Sequence, residues 1–307
     1  MNISTFYNNK GGCSKTSTVF FVGKCLATAG FSVLCIDADP QGTLAHDTYD
    51  LPRNLKGLSE LIESPSKLKE SIHKSRIENL YIIPPGNDLA EVLTKWESRG
   101  LLKEKVLALL NLIRKELEEA FDAVLIDNPP NLVGFPMYAS EFSDRIIMPV
   151  QSETYCLKAT VRTYVKIKMH FPEWEKKNIA IIVTRHNSKR NLAMGNVDAF
   201  KEWGYRERTE FEMMHPGQIL NFNILNSIIP DSADVGNVVA EKANVYLQKS
   251  KSDLAKAYIA ATMELFPKLS NLDKIIEEKV EARKKENQEN FKAVVRKRNQ
   301  EIEVETK

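Results

Sequence analysis

The chain has 307 residues, 43% hydrophobic and 27% charged, a balance that supports a large buried core and excludes both intrinsic disorder and a disulfide-stapled mini-fold. Lys and Arg total 43 against 41 for Asp and Glu; a formal net charge of +2 cannot make the whole surface a polyanion-binding field, so any nucleic-acid contact must come from a local patch. The four cysteines, Cys13, Cys25, Cys35 and Cys156, form no C-x-x-C pair and read as reduced thiols of a cytoplasmic protein, and neither a signal peptide nor a transmembrane run of about 18 apolar residues is expected.

Short runs rich in β-branched and aromatic residues alternate with longer segments of helical period. Strands are expected at 3–7, 32–36, 80–83, 123–126, 145–150, 179–184 and 227–229, and the clearest helices at 16–29, 101–120, 154–170 and 253–266. This alternation predicts an α/β fold, a mostly parallel twisted sheet flanked by helices. Residues 191–226 lack clean periodicity and read as a helix followed by an irregular insertion within a domain spanning 1–268. From 269 to 307 the composition turns to Lys, Arg, Glu, Gln and Asn with a thin apolar face, which predicts a charged, projecting helical tail.

Three boxes carry chemistry. The first follows the opening strand: Asn8-Asn9-Lys10-Gly11-Gly12-Cys13-Ser14-Lys15-Thr16-Ser17, with a helix directly after it. Strand, glycine-rich loop, helix is the context of a phosphate cradle, because the glycines allow a tight turn and the positive end of the helix faces the same anion. Lys15 would reach the β- and γ-phosphates and the Thr16 hydroxyl would ligate Mg²⁺. The second box, Asp37-Ala38-Asp39-Pro40-Gln41-Gly42, places two carboxylates two residues apart at a strand end; one can hold hydrated Mg²⁺ and the other orient an attacking water. The third, Ala123 to Asp127 followed by Asn128-Pro129-Pro130, ends an apolar strand in an acid that would bind Mg²⁺ through its water shell. Both acidic boxes fall at the carboxyl ends of expected strands, where open α/β sheets bind ligands.

The usual G-x-x-x-x-G-K-[ST] pattern fails, since Asn9 and Ser14 occupy its glycine positions, but K-G-G-x-x-K-[ST] fits. It resembles the deviant Walker A motif of the ParA/MinD superfamily of P-loop ATPases, and D-x-D-P-Q-G and D-x-P-P resemble the boxes of its ParA branch. The resemblance extends loosely over most of residues 1–268. It implies that ATP and Mg²⁺ are the cofactors, with nucleotide held by residues 10–17, that is Lys10, Gly11, Gly12, Cys13, Ser14, Lys15, Thr16 and Ser17. Thr184, Arg185, Pro230 and Asp231 would border the base, and Thr16, Asp37 and Asp127 would hold the metal. Lys10 would act across a dimer interface on the partner's nucleotide, and Lys10, Lys15 and Asp39 would be the catalytic set. Departures are Ser14 for a glycine, Cys13 for a small aliphatic residue, Asp231 where a basic residue is frequent, and a longer 191–226 segment.

Cys156 is the sole thiol well outside the nucleotide half, which argues against a bridging iron–sulfur cluster, and the tail makes a poor membrane face. The leading expectation is therefore a ParA/Soj-type partition ATPase, cytoplasmic and nucleoid-associated. ATP would close a sandwich homodimer that binds double-stranded DNA without sequence preference, and a ParB-like centromere-binding or adaptor partner would stimulate hydrolysis. Arg185, Lys189 and Arg190 are the candidate DNA-binding residues. The alternative is a MinD- or McdA-like ATPase that positions a protein cargo or the division machinery.

Overall fold

The computed structural model describes residues 1–131, 133–152, 178–186, 223–232, 245–248, 252–269 and 271–305, with single positions at 156, 159, 160, 163, 164, 167, 202, 206, 209, 213 and 235. Its centre is an eight-stranded sheet. In chain order the strands are β1 (Asn2–Phe6), β2 (Val33–Asp37), β3 (His73–Lys74), β4 (Leu80–Ile83), β5 (Ala123–Asp127), β6 (Arg145–Gln151), β7 (Asn178–His186) and β8 (Asn223–Pro230). They lie in the order β3-β4-β2-β5-β1-β6-β7-β8, all parallel except β3, which runs antiparallel to β4.

Strand alternation sends successive side chains to opposite faces, so each buried strand feeds two cores. Val33 and Cys35 of β2 and Leu125 of β5 join the core under the helix α1 (Lys15–Ala29), while Leu34, Ile36, Val124 and Ile126 join the opposite one. That opposite face is covered by α2 (Leu58–Glu63), α4 (Leu102–Leu117) and α5 (Phe135–Phe142), with α3 (Leu89–Ser98) alongside them. Nearly every side chain of α1 from Thr18 onward is buried, because α6 (Asp253–Leu265) and the start of α7 (Leu272–Glu305) cover its outer side. Gly23 permits the close approach of α1 to the sheet: a β-carbon there would stand 3.2 Å from Cys35 Sγ and 3.4 Å from Leu125 Cδ1.

All seven expected strands form; β3, α2, α3 and α5 are additions whose short length gave little periodic signal. In the expected helix at 154–170, positions 156, 159, 160, 163, 164 and 167 are helical, and the remaining residues lie outside the described ones. The strand expected at 227–229 runs from Asn223, so residues 223–226 belong to β8 and not to an irregular insertion. Exposed Asn223 and Asn226 hide its apolar pattern. At the irregular pairing of this edge strand, Glu264 of α6 accepts the backbone N–H groups of Asn226 and Ser227, each at 2.7 Å. The remainder of 191–226 lies outside the described residues except for exposed helical positions 202, 206, 209 and 213.

The tail also differs from expectation at its root. Leu272, Ile276 and Val280, spaced four apart on one helical stripe, are buried in the α1 core. The other face of this root is exposed at Asp273, Lys274 and Glu277 to Lys279, and from Glu281 to Glu286 every side chain is open to solvent.

Candidate functional site

The loop between β1 and α1 is held by donors directed at its carbonyls. Lys15 Nζ donates to the carbonyls of Asn8 (3.1 Å) and Lys10 (3.2 Å), and Gln151 Nε2 donates to that of Gly12 at 2.6 Å. Thr184 Oγ1 reaches the carbonyls of Val150 (3.2 Å) and Cys13 (3.5 Å). Buried Asn8 anchors the loop's entry, its Nδ2 donating to Pro149 O (2.8 Å) and Thr160 Oγ1 (3.0 Å), while its Oδ1 accepts the Lys10 N–H. Carbonyl oxygens that would repel an anion are thus already engaged, which suits a cradle built from N–H groups. Gly12 (φ 73°) and Ser14 (φ 69°) both adopt the left-handed conformation, free for the glycine and strained for the serine.

A cavity of about 620 Å³ opens over this loop, a volume in the usual range for a small-molecule site. It brings together Gly11, Gly12, Cys13, Ser14, Lys15, Thr16, Ser17, Asp39, Thr184, Arg185, Pro230 and Asp231, all expected from the sequence. Ile229, which precedes the expected Pro230, also lines it, and Asn128, Pro130, Ser232, Val235 and Tyr258 were not among the expected site residues. Asn128 and Pro130 sit inside the third box and could have been inferred from it. Tyr258 stacks on Phe21 with ring centroids 4.5 Å apart and reaches the cavity from α6, a placement that only the tertiary fold fixes. At the far wall Arg185 holds a left-handed backbone (φ 51°), and its Nε lies 3.5 Å from Asp231 Oδ1. An acid at 231 therefore serves as the counter-charge of Arg185.

Lys10, Asp37 and Asp127 are not in the cavity wall. Lys10 Nζ lies 2.6 Å from Cys156 Sγ, on the helix beyond β6. Asp37 and Asp127 are direct register partners on β2 and β5, both almost fully buried. Asp37 accepts the N–H groups of Ala45 (2.9 Å) and Asp39 (3.2 Å), whereas neither oxygen of Asp127 has a hydrogen-bond partner. Burial and the neighbouring Asp127 charge raise the Asp37 pKa well above the carboxylate range. Burial likewise pushes Asp127 up to about 7, against the lowering influence of Thr16 and Lys15. Two buried carboxylates with an orphaned pair of oxygens, next to the Thr16 hydroxyl, form a hard oxygen donor set that fits a divalent cation. Among the described residues no cluster of three or more His, Cys, Asp or Glu side chains is placed to hold a metal ion. Of the candidate DNA-binding residues, Arg185 belongs to the cavity, and Lys189 and Arg190 lie outside the described residues.

A family model described as "AAA domain" matches residues 1–181, more than half of the chain. Similar proteins include chromosome-partitioning ATPases of the Soj and ParA type. The chain belongs to the ParA/MinD superfamily of P-loop ATPases, on its ParA branch. It is 30% identical over 156 residues to the chromosome-partitioning ATPase Soj of Treponema pallidum, an alignment covering 50% of this chain and 58% of that protein. It is 27% identical over 282 residues to the virulence plasmid ParA family protein pGP5-D of Chlamydia psittaci, covering 91% and 99% of the two chains. Among solved structures, an ATP complex of McdA from Cyanothece superposes with a TM-score of 0.63 at 21% identity, covering 86% of this chain and 95% of that one. At that identity the likeness speaks for the ParA/MinD fold alone. The sheet order and the strand–loop–helix setting of Lys15 are the structural counterpart of the match.

Proposed function

We propose that this ParA/MinD protein is a ParA-like, Mg²⁺-dependent ATPase for partitioning DNA, plasmid or chromosome, in which ATP closes a sandwich homodimer competent for sequence-independent DNA binding. Lys15 and the N–H groups of residues 11–16 hold the phosphates, with the N-terminus of α1 adding its positive end. Thr16, Asp37 and Asp127 hold Mg²⁺, which when bound supplies counter-charge to the phosphate oxygens. Asp39, in the cavity wall, orients the attacking water. Catalysis of this kind rests on positioning and charge, with no covalent step on the protein. A ParB-like or adaptor partner stimulates hydrolysis and returns the protein from the nucleoid to the cytoplasm.

The observation that carries the reading is the division of labour between the two lysines. Lys15 serves its own subunit's cavity, while Lys10 is held half-buried at Cys156, outside the wall of that cavity. A lysine the subunit does not need for its own phosphates is one that a second subunit can use.

The test is DNA binding by the full chain with ADP, ATP and a slowly hydrolysed ATP analogue across a salt series. Binding should require a triphosphate and be independent of DNA sequence. The logarithm of affinity should fall with the logarithm of salt at about 0.9 per phosphate contacted. Lys189→Ala with Arg190→Ala should flatten that slope. A chain ending after Glu286 tests the tail's contribution while keeping Leu272, Ile276 and Val280 in the core. Absence of ATP-dependent DNA binding would favour the protein-cargo alternative.

A further inference from the structure

The nucleotide cavity occupies the carboxyl edge of the sheet, and a second cavity of about 540 Å³ opens at the opposite, amino-terminal edge. Its wall includes Leu26 near the end of α1 and Phe31 just beyond it, Arg145 at the first position of β6, and Phe266, Lys268 and Leu269 from the turn between α6 and α7. The apolar members belong to, or pack against, the α1 core, so the cavity is a continuation of that core toward solvent. Arg145 is the feature that apolar packing does not explain. Its guanidinium carbon lies 5.4 Å from the centroid of the Phe266 ring, and its Nη1 is buried with no hydrogen-bond partner.

Among the described residues, the two acids beside it, Asp144 and Asp122, each serve another donor. Asp144 accepts Arg114 Nη2 at 2.9 Å on one oxygen and the Ile3 N–H at 2.8 Å on the other. Asp122, also in the cavity wall, accepts the Ser32 N–H at 2.8 Å. A partly buried guanidinium with a free donor costs free energy unless an acceptor, and preferably a negative one, meets it. Burial lowers the pKa of Arg145, with Asp144 opposing, which agrees with an incompletely balanced charge. Exposed Lys268 adds a second cation at the mouth.

We propose that this cavity is a second ligand site, for a small monoanion with an apolar body, whose carboxylate or similar head group is met by Arg145 with Lys268 at the rim while its body lies against Leu26, Phe31, Phe266 and Leu269. Planar, forked donors favour a carboxylate head, and the aromatic and aliphatic wall favours an alkyl or aryl body over a sugar or polyphosphate. The site is independent of the nucleotide and of the proposed partition role.

The test uses the full chain with octanoate as ligand, octanamide as its neutral counterpart and anilinonaphthalene sulfonate as a fluorescent anionic probe. Octanoate should displace the probe, and octanamide should bind at least roughly tenfold more weakly, since a charge-assisted bond is at stake. Arg145→Gln should remove that preference, and Lys268→Gln should reduce it, with fluorescent-ADP binding unchanged in both. Phe31→Trp in an otherwise unaltered chain gives a readout that does not depend on folding of the arginine variant: bromo-octanoate should quench its added fluorescence, and unlabelled octanoate should restore it. Equal binding of acid and amide, unchanged octanoate affinity in Arg145→Gln, or no quenching at Trp-substituted position 31 would each overturn the assignment.

Discussion

Asp37 and Asp127 stand as register partners at the carboxyl ends of adjacent strands, and neither carboxylate is open to water. The sign of their effect on stability follows from the raised value of about 7 for Asp127 against an ordinary value near 4. Between about pH 4 and 7 the folded protein keeps a proton that the unfolded chain has released. The stabilisation from that proton is complete at the acid end and is lost as pH rises through 7. The nucleotide- and metal-free protein should therefore melt lower at pH 8 than at pH 6. Asp127→Asn should flatten that dependence, raise the pH 8 melting temperature by several degrees at about 2–4 °C per kcal/mol, and abolish stabilisation by Mg²⁺ with ADP. Melts from pH 5 to 8 with and without Mg²⁺ check this; a wild-type-like Mg²⁺ shift in the variant would remove Asp127 from the metal site.

The two lysines of the phosphate loop should separate cleanly. Lys15→Ala should weaken nucleotide binding roughly tenfold or more, because a charge-assisted contact to phosphate is lost. Lys10→Ala should bind nucleotide within about twofold of wild type yet fail to dimerise with ATP. Light scattering behind a sizing column decides the matter, and an ATP-driven dimer of Lys10→Ala would end the assignment of Lys10 to the partner's nucleotide.

Asp39 lies in the cavity wall, where its Oδ1 accepts the Gln41 N–H at 3.0 Å. Asp39→Ala should lower turnover by roughly 100-fold or more while retaining ATP, so that the dimer accumulates. Undiminished single-turnover hydrolysis at saturating Mg-ATP would assign the water to another group.

Ser14 sets a non-glycine residue in the left-handed region, at φ 69°. Ser14→Gly should relieve about 1 kcal/mol of strain, partly offset by the greater freedom of glycine in the unfolded chain, and raise the melting temperature slightly. Gly12→Ala, at φ 73° with open space around the β-position, should lower it through backbone strain alone. Calorimetry of the two variants side by side checks both directions.

The phosphate loop and both acidic boxes were legible because each is local: a few consecutive residues at one strand end carry the whole signal. What escaped was set by partners distant in sequence. Tyr258 reaches the cavity over the phosphate loop because α6 packs on α1, and Arg185 meets Asp231 because β7 and β8 are neighbours in the sheet. Residues 223–226 were misassigned since a strand at a sheet edge needs apolar residues on one side only, and its bulge draws support from Glu264 on another element. The root of α7 looked solvated by composition, yet three residues in register suffice to bury it.

That root fixes a direction. α7 is one uninterrupted helix of 34 residues, roughly 50 Å long, and its first three turns are set in the same core that carries α1 and hence the phosphate loop. The remainder is a boom with an embedded base: its bearing relative to the nucleotide is decided by Leu272, Ile276 and Val280, not by a hinge. In a two-fold assembly it would come as a pair, so the distance between the two far ends would follow from the angle at which the subunits meet, and any change of that angle at the nucleotide would be read out, enlarged, at the tips.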